Sequence, residues 1–98
     1  MRFEWDEAKN RANQRKHGVS FETASDVFDD PLHLSIQDRI EGGEERWQTL
    51  GLVGGIVLLI VAHTHRDDGN EEIIRIISAR KATRRERRTY ESGEQANG

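Results

Sequence analysis

Between residues 72 and 91 the chain holds seven arginines and lysines against three glutamates, a local balance of +4. Arg84, Arg85, Arg87 and Arg88 are too closely spaced to share one helix face. Arg84 and Arg88 align at i, i+4, and Arg87 lies beside Arg84 at i, i+3. A guanidinium stripe of this kind suits phosphate, which arginine grips with two parallel N–H donors. A solvated helix, with Glu86 and Glu91 supplying ordinary ion pairs, is the plainer reading. Arg75 is harder to dismiss because it interrupts an Ile-Ile-Arg-Ile-Ile run. A guanidinium there needs a partner or a groove, since an unpaired buried charge is very costly. Arg80, at the end of the same run, points to the face opposite Arg75 unless a bulge intervenes. Both could equally be partners of Glu44, Glu45 or Asp67, and the sequence leaves that choice open.

Four histidines raise the question of metal: His17, His33, His63 and His65. His63 and His65 share a strand face, but the sequence shows no His/Asp/Glu triad with metal spacing, and without cysteine there is no thiolate site. Neither a metal nor a cofactor is expected. His17, at a helix end, could serve as an acid or base near neutrality, or simply as a cation at the helix C-terminus. Glycine-rich phosphate loops, nucleophile elbows and HExxH motifs are absent from the sequence. The chemistry left open needs only acids, bases and cations. RNA cleavage qualifies, because the 2′-hydroxyl is the nucleophile and the protein need only move protons and stabilise a phosphorane.

These residues must be carried by a small scaffold. Arg2-Phe3-Glu4-Trp5 alternates polar and aromatic residues, as a short strand does. Asp6 is a natural cap for a helix running to His17 and stopping at Gly18, with Ala8, Ala12 and Asn13 as its inward candidates. Phe21, Ala24, Val27 and Phe28 recur at helical spacing from Ser20 until Asp29-Asp30-Pro31 ends the helix. Leu32 to Gln37 alternates as an edge strand does, and Arg39 to Glu45 reads as a charged turn. Arg46–Leu52 and Ile56–His65 form a hairpin around Val53-Gly54-Gly55. The unbroken apolar run from Ile56 to Ala62 marks a central strand. After a turn over 66–70, Glu71–Ala79 is a further strand and Thr83–Tyr90 a last helix. The expected order is β-α-α-β-β-β-β-α, an α+β fold with an antiparallel sheet. Residues 1–91 form one domain in this reading, and 92–98 a frayed tail.

The 98 residues are one domain's worth of core, with 34% apolar and 34% charged residues. The N-terminus carries charges where a signal peptide needs apolar residues, and no run reaches the roughly 20 residues that span a bilayer. A soluble cytoplasmic protein is expected, without membrane contact. Net charge is −3, yet residues 20–49 hold eight acidic and two basic side chains, so the C-terminal part alone seeks anions.

Taken together, the motifs resemble the BrnT-type toxins of type II toxin–antitoxin systems. The resemblance opens with Phe3-Glu4-Trp5-Asp6, Lys9, Asn13, Lys16-His17-Gly18-Val19 and Phe21-Glu22. It continues through Val27-Phe28-Asp29-Asp30, Glu45-Arg46 and Gly51, and closes on Arg75 to Ala82, Glu86-Arg87 and Tyr90. It implies a RelE-like fold and a ribonuclease that arrests translation and growth. A BrnA-type antitoxin with a ribbon-helix-helix part would neutralise it, giving a hetero-oligomer that binds operator DNA. Carried over by position, the catalytic candidates are His17, Arg66, Arg80 and Glu86, and the RNA-binding candidates are Lys16, Arg75, Arg87 and Tyr90. On this reading Arg80, with Arg66 or Arg75, holds the scissile phosphate while His17 or Glu86 moves protons, without metal.

A rival reading is a non-catalytic partner, a decayed toxin whose basic helix docks an acidic antitoxin segment. A DNA-binding repressor acting alone is disfavoured, because no helix-turn-helix pattern is present and the first helix starts acidic.

Overall fold

Local chemistry marks out most of the elements in the computed structural model, which describes residues 1–93. Strand β1 (Arg2–Glu4) leads into helix α1 (Glu7–His17). The Asp6 side chain accepts from the Lys9 N–H at 3.1 Å, and Gly18 ends the helix at φ 72°. Helix α2 (Phe21–Ser25), capped by Ser20, tightens into a 3₁₀ turn over Asp26–Asp29. Four long strands follow: β2 (Leu34–Glu41), β3 (Glu44–Val53), β4 (Val57–Asp68) and β5 (Glu71–Lys81). Helix α3 (Arg84–Ser92) closes the fold, started by a Thr83/Glu86 capping box and ended by Gly93. Ser92, read from the sequence as the start of a tail, is thus the last helical residue; 94–98 lie outside the described residues.

The expected charged turn over 39–45 is mostly strand. Only Gly42 and Gly43 turn, at φ 60° and 81°, the paired left-handed conformation that a two-residue hairpin requires. The sheet runs β1-β5-β4-β3-β2, with β4 in the centre as its apolar run requires. It is a mixed sheet: β1 lies parallel to β5 and every other pair is antiparallel. Between β1 and β5 the chain passes through the helices and three other strands, which makes the parallel pairing possible.

One face of the sheet holds the core. Leu59 and Val61 of β4 and Ile74, Ile76 and Ala79 of β5 bury against Val19, Phe21, Ala24 and Val27. Gly51 allows the closest approach, since an added Cβ would lie 2.7 Å from the Val27 carbonyl oxygen. Helix α1 docks through asparagines, while the expected inward residues Ala8 and Ala12 are exposed. Asn13 donates to the carbonyls of Val19 and Ala79, both at 2.8 Å, and accepts from the Ala79 N–H at 3.2 Å. Asn10 accepts from the Phe21 N–H at 2.8 Å. Amides stand where methyls were expected because β1 reaches only Ile73–Arg75 of β5, leaving Ala79 with backbone groups to satisfy.

A bulge in β5 sets the other face. Ala62 pairs with Ser78 and His63 pairs with Ile76, so Ile77 is an extra residue. It reverses the alternation beyond it and brings Arg80 to the same side as Arg75.

Candidate functional site

The face turned away from α1 and α2 is rich in arginine. Cross-strand pairing puts Glu4, Arg75, Thr64 and Arg46 in one row across β1, β5, β4 and β3. Arg66 lies opposite Ile73 in the next row towards the β4–β5 turn. Arg80 pairs with Ile60, four residues of β4 from Thr64, or about 13 Å along the strand. Arg66, Arg75 and Arg80 are therefore brought onto one side, each with a partly exposed side chain.

Their partners differ from those expected. Arg75 and Arg66 share Glu4, at 3.6 Å and 2.9 Å, rather than meeting Glu44, Glu45 or Asp67. The Arg66 hydrogen bond, reinforced by the charges of Arg75 and Arg2, holds the Glu4 carboxyl below its usual range. Arg80 clasps Glu86 with two parallel bonds of 2.8 Å and 2.9 Å. The same carboxylate accepts from the Thr83 N–H at 2.8 Å. The Arg80 bonds bring Glu86 down to about 2, so it stays ionised near neutrality and serves to orient Arg80. Tyr90 donates to Asp30 at 2.5 Å; burial and that bond push the phenol up to about 12.

Two buried polar atoms in the central row have no hydrogen-bond partner. They are the Oγ1 of Thr64, a residue only 3% exposed, and Nε of Arg46. The nearest acid to that nitrogen is Glu41, at 3.8 Å. A buried donor or acceptor left without a partner costs about 1–3 kcal/mol.

Two of the remaining candidates lie apart from this face. His17 and Lys16 end α1, in the helix layer on the opposite side of the sheet. Arg87 stands on α3, 3.9 Å from Glu91. Glu4, Arg46 and Thr64 were not singled out as site residues. The alternation of Arg2 and Glu4 with Phe3 and Trp5 was the available signal for Glu4.

On the helix side, His63 is 3% exposed and lowered by burial to about 4, hence neutral. Its Nδ1 donates to the Thr64 carbonyl at 3.2 Å. Its Nε2 then accepts from the Thr49 hydroxyl at 2.7 Å, and Ser35 completes the chain at 2.7 Å. His63 lines a cavity of about 250 Å³ with His33, His65, Trp47 and Phe28. The sequence offered no third ligand for a metal, but the β4–β5 register supplies one set. His65, Asp67 and Glu72 bring ligating atoms within 4.8 Å of one another, with His63 left out. These residue types could hold a divalent cation.

The fold is similar to the 1.1 Å crystal structure of the Brucella abortus ribonuclease toxin, BrnT. The TM-score is 0.65 at 23% identity, over 86% of this chain and 99% of that one. The two therefore share a class of fold, an α+β sheet with α1 and α2 on one face and arginines on the other in this chain. Residues 5–86 match the family described as "Ribonuclease toxin, BrnT, of type II toxin-antitoxin system". The chain belongs to that family. Among curated proteins no sequence match is found. No helix among the described residues is long and apolar enough to cross a membrane.

Proposed function

We propose that this chain cleaves RNA in the cytoplasm, without a metal ion, and so arrests translation and growth. A BrnA-like antitoxin with a ribbon-helix-helix part neutralises it in a hetero-oligomer that binds operator DNA. The observation that carries this reading is the common side shared by Arg66, Arg75 and Arg80, in a member of a ribonuclease toxin family. Arg80 holds the scissile phosphate and neutralises the phosphorane as the 2′-hydroxyl attacks and the 5′-oxygen leaves, while Arg66 and Arg75 hold the strand beyond it. Glu86 orients Arg80, and Arg87 and Tyr90 carry the contact onto α3. Glu4 keeps Arg66 and Arg75 in place, 2.9 Å from Arg66. His17 and Lys16 are outside this constellation.

Inducible expression in bacteria followed by RNA analysis tests the reading. Arrest with cleaved transcripts is expected, abolished by Arg75→Ala and Arg80→Ala in proteins that remain folded. Arrest without cleavage, or no arrest at all, returns the chain to the rival reading of a non-catalytic antitoxin partner.

A further inference from the structure

The row Glu4–Arg75–Thr64–Arg46 contains more than a set of surface ion pairs. Thr64 lies between two arginines, paired with Arg46 on β3 and with Arg75 on β5. Its hydroxyl is buried and makes no hydrogen bond, and neither does Nε of Arg46 beside it. A valine has the same shape and would remove the orphaned hydroxyl, so packing alone does not account for a threonine here. Two unused donors on adjacent strands, flanked by the further donors of Arg75, match the oxygens of a tetrahedral anion. The charged groups around the row are Arg2, Arg66 and Arg75 with Glu4, Glu44 and Asp68, and Arg39 and Arg46 with Asp38 and Glu41. In the free protein Glu4 pairs with Arg66 and Arg75, while Glu41 pairs with Arg39 and stands 3.8 Å from Arg46.

We infer that Thr64, Arg46 and Arg75 form a phosphate subsite that takes one backbone phosphodiester of the RNA. The Thr64 hydroxyl and Arg46 Nε–H donate to its oxygens while Arg75 supplies the balancing charge. Occupancy draws Arg75 from Glu4 and Arg46 from Glu41. The subsite lies about 13 Å along β4 from Arg80, roughly two backbone phosphates away, and so positions the strand on either side of the reacting group. This assignment rests on the reading of the same face as an RNA site, and the experiment separates the two.

Side-chain nitrogen NMR of the full chain, titrated with inorganic phosphate, reports on Arg46 Nε–H directly. A single-stranded DNA oligonucleotide, which lacks the 2′-hydroxyl and cannot be cleaved, then reports backbone affinity by fluorescence anisotropy. The Arg46 resonance is expected to move with phosphate in the parent and not in Thr64→Val. Thr64→Val is expected to weaken oligonucleotide binding about 10- to 100-fold, as loss of one hydrogen bond to an anion does, while melting no lower than the parent. Arg46→Gln is expected to flatten the slope of log affinity against log salt by about 0.7. An Arg46 resonance unmoved by phosphate, or a Thr64→Val protein that binds and cleaves like the parent, overturns the subsite and leaves the ribonuclease reading standing. A parent that cleaves no RNA but shows the phosphate response, lost in Thr64→Val, retains the subsite and removes the ribonuclease reading.

Discussion

Acidifying the protein from pH 7 to 5 is expected to destabilise it through His63. Burial lowers the ring from its ordinary 6.5 to about 4 in the fold, while the unfolded chain keeps the ordinary value. Over this interval the unfolded state takes up a proton that the folded state refuses. The histidine's contribution is therefore complete above pH 6.5 and falls away as pH drops towards 4. At about 1.4 kcal/mol per pH unit, and allowing for partial titration at both ends, the loss from pH 7 to 5 is about 2 kcal/mol. For a domain of this size that corresponds to a fall in Tm of roughly 8–16 °C. Thermal melts of the parent and His63→Gln across this range measure it. The glutamine can still meet the Thr49 hydroxyl but does not titrate, so its melting temperature should fall less. Carboxylates lose their contributions below about pH 4.5 and stay out of the window. Equal pH slopes in the two proteins, or a His63 ring that titrates near 6.5 by NMR, would refute the reasoning.

Asn13→Ala leaves the Ala79 N–H and two carbonyls without partners, and should lower unfolding free energy by about 3 kcal/mol or more in a denaturant titration. Gly51→Ala drives a Cβ against the Val27 backbone and should cost about 1–3 kcal/mol by the same measurement. Glu86→Gln should leave the shape of the pH–rate profile for RNA cleavage unchanged, because a carboxylate held at about 2 moves no proton near neutrality. Its stability penalty, about 1 kcal/mol, should be present above pH 4.5 and vanish as pH falls towards 2, where the parent's Glu86 also protonates.

The elements were legible where the chain signals them locally. Asp6 and Gly18 bracket α1, the run beginning at Ile56 marks the central strand, and Thr83 with Glu86 starts α3. What depends on long-range pairing was not legible. A bulge adds one residue without changing composition, so nothing in Ile76-Ile77-Ser78 declares that Arg75 and Arg80 share a side. Asn13 was an inward candidate and is buried, but Asn10, which was not, is buried too, because each amide meets backbone that nothing else reaches. The parallel placement of β1 likewise becomes visible only with β5 beside it. Asp67 and Glu72 would have joined His65 on paper had the turn been confined to Gly69-Asn70 rather than spread over 66–70. For the site, the family resemblance named Arg66, Arg75 and Arg80, but it did not name Glu4, which meets two of them.

The amide of Asn13 also has a bearing on self-association. Strand edges are where sheets recruit one another, through unanswered N–H and C=O groups. On the β5 side, the three residues of β1 cover one stretch and Asn13 occupies the groups of Ala79 further along. On the far side β2 runs for eight residues with no strand beyond it among the described residues, interrupted by a bulge between Gln37 and Arg39 and carrying Asp38, Arg39 and Glu41. The sheet therefore has one margin that is largely sealed and one that a bulge and charged side chains guard against pairing.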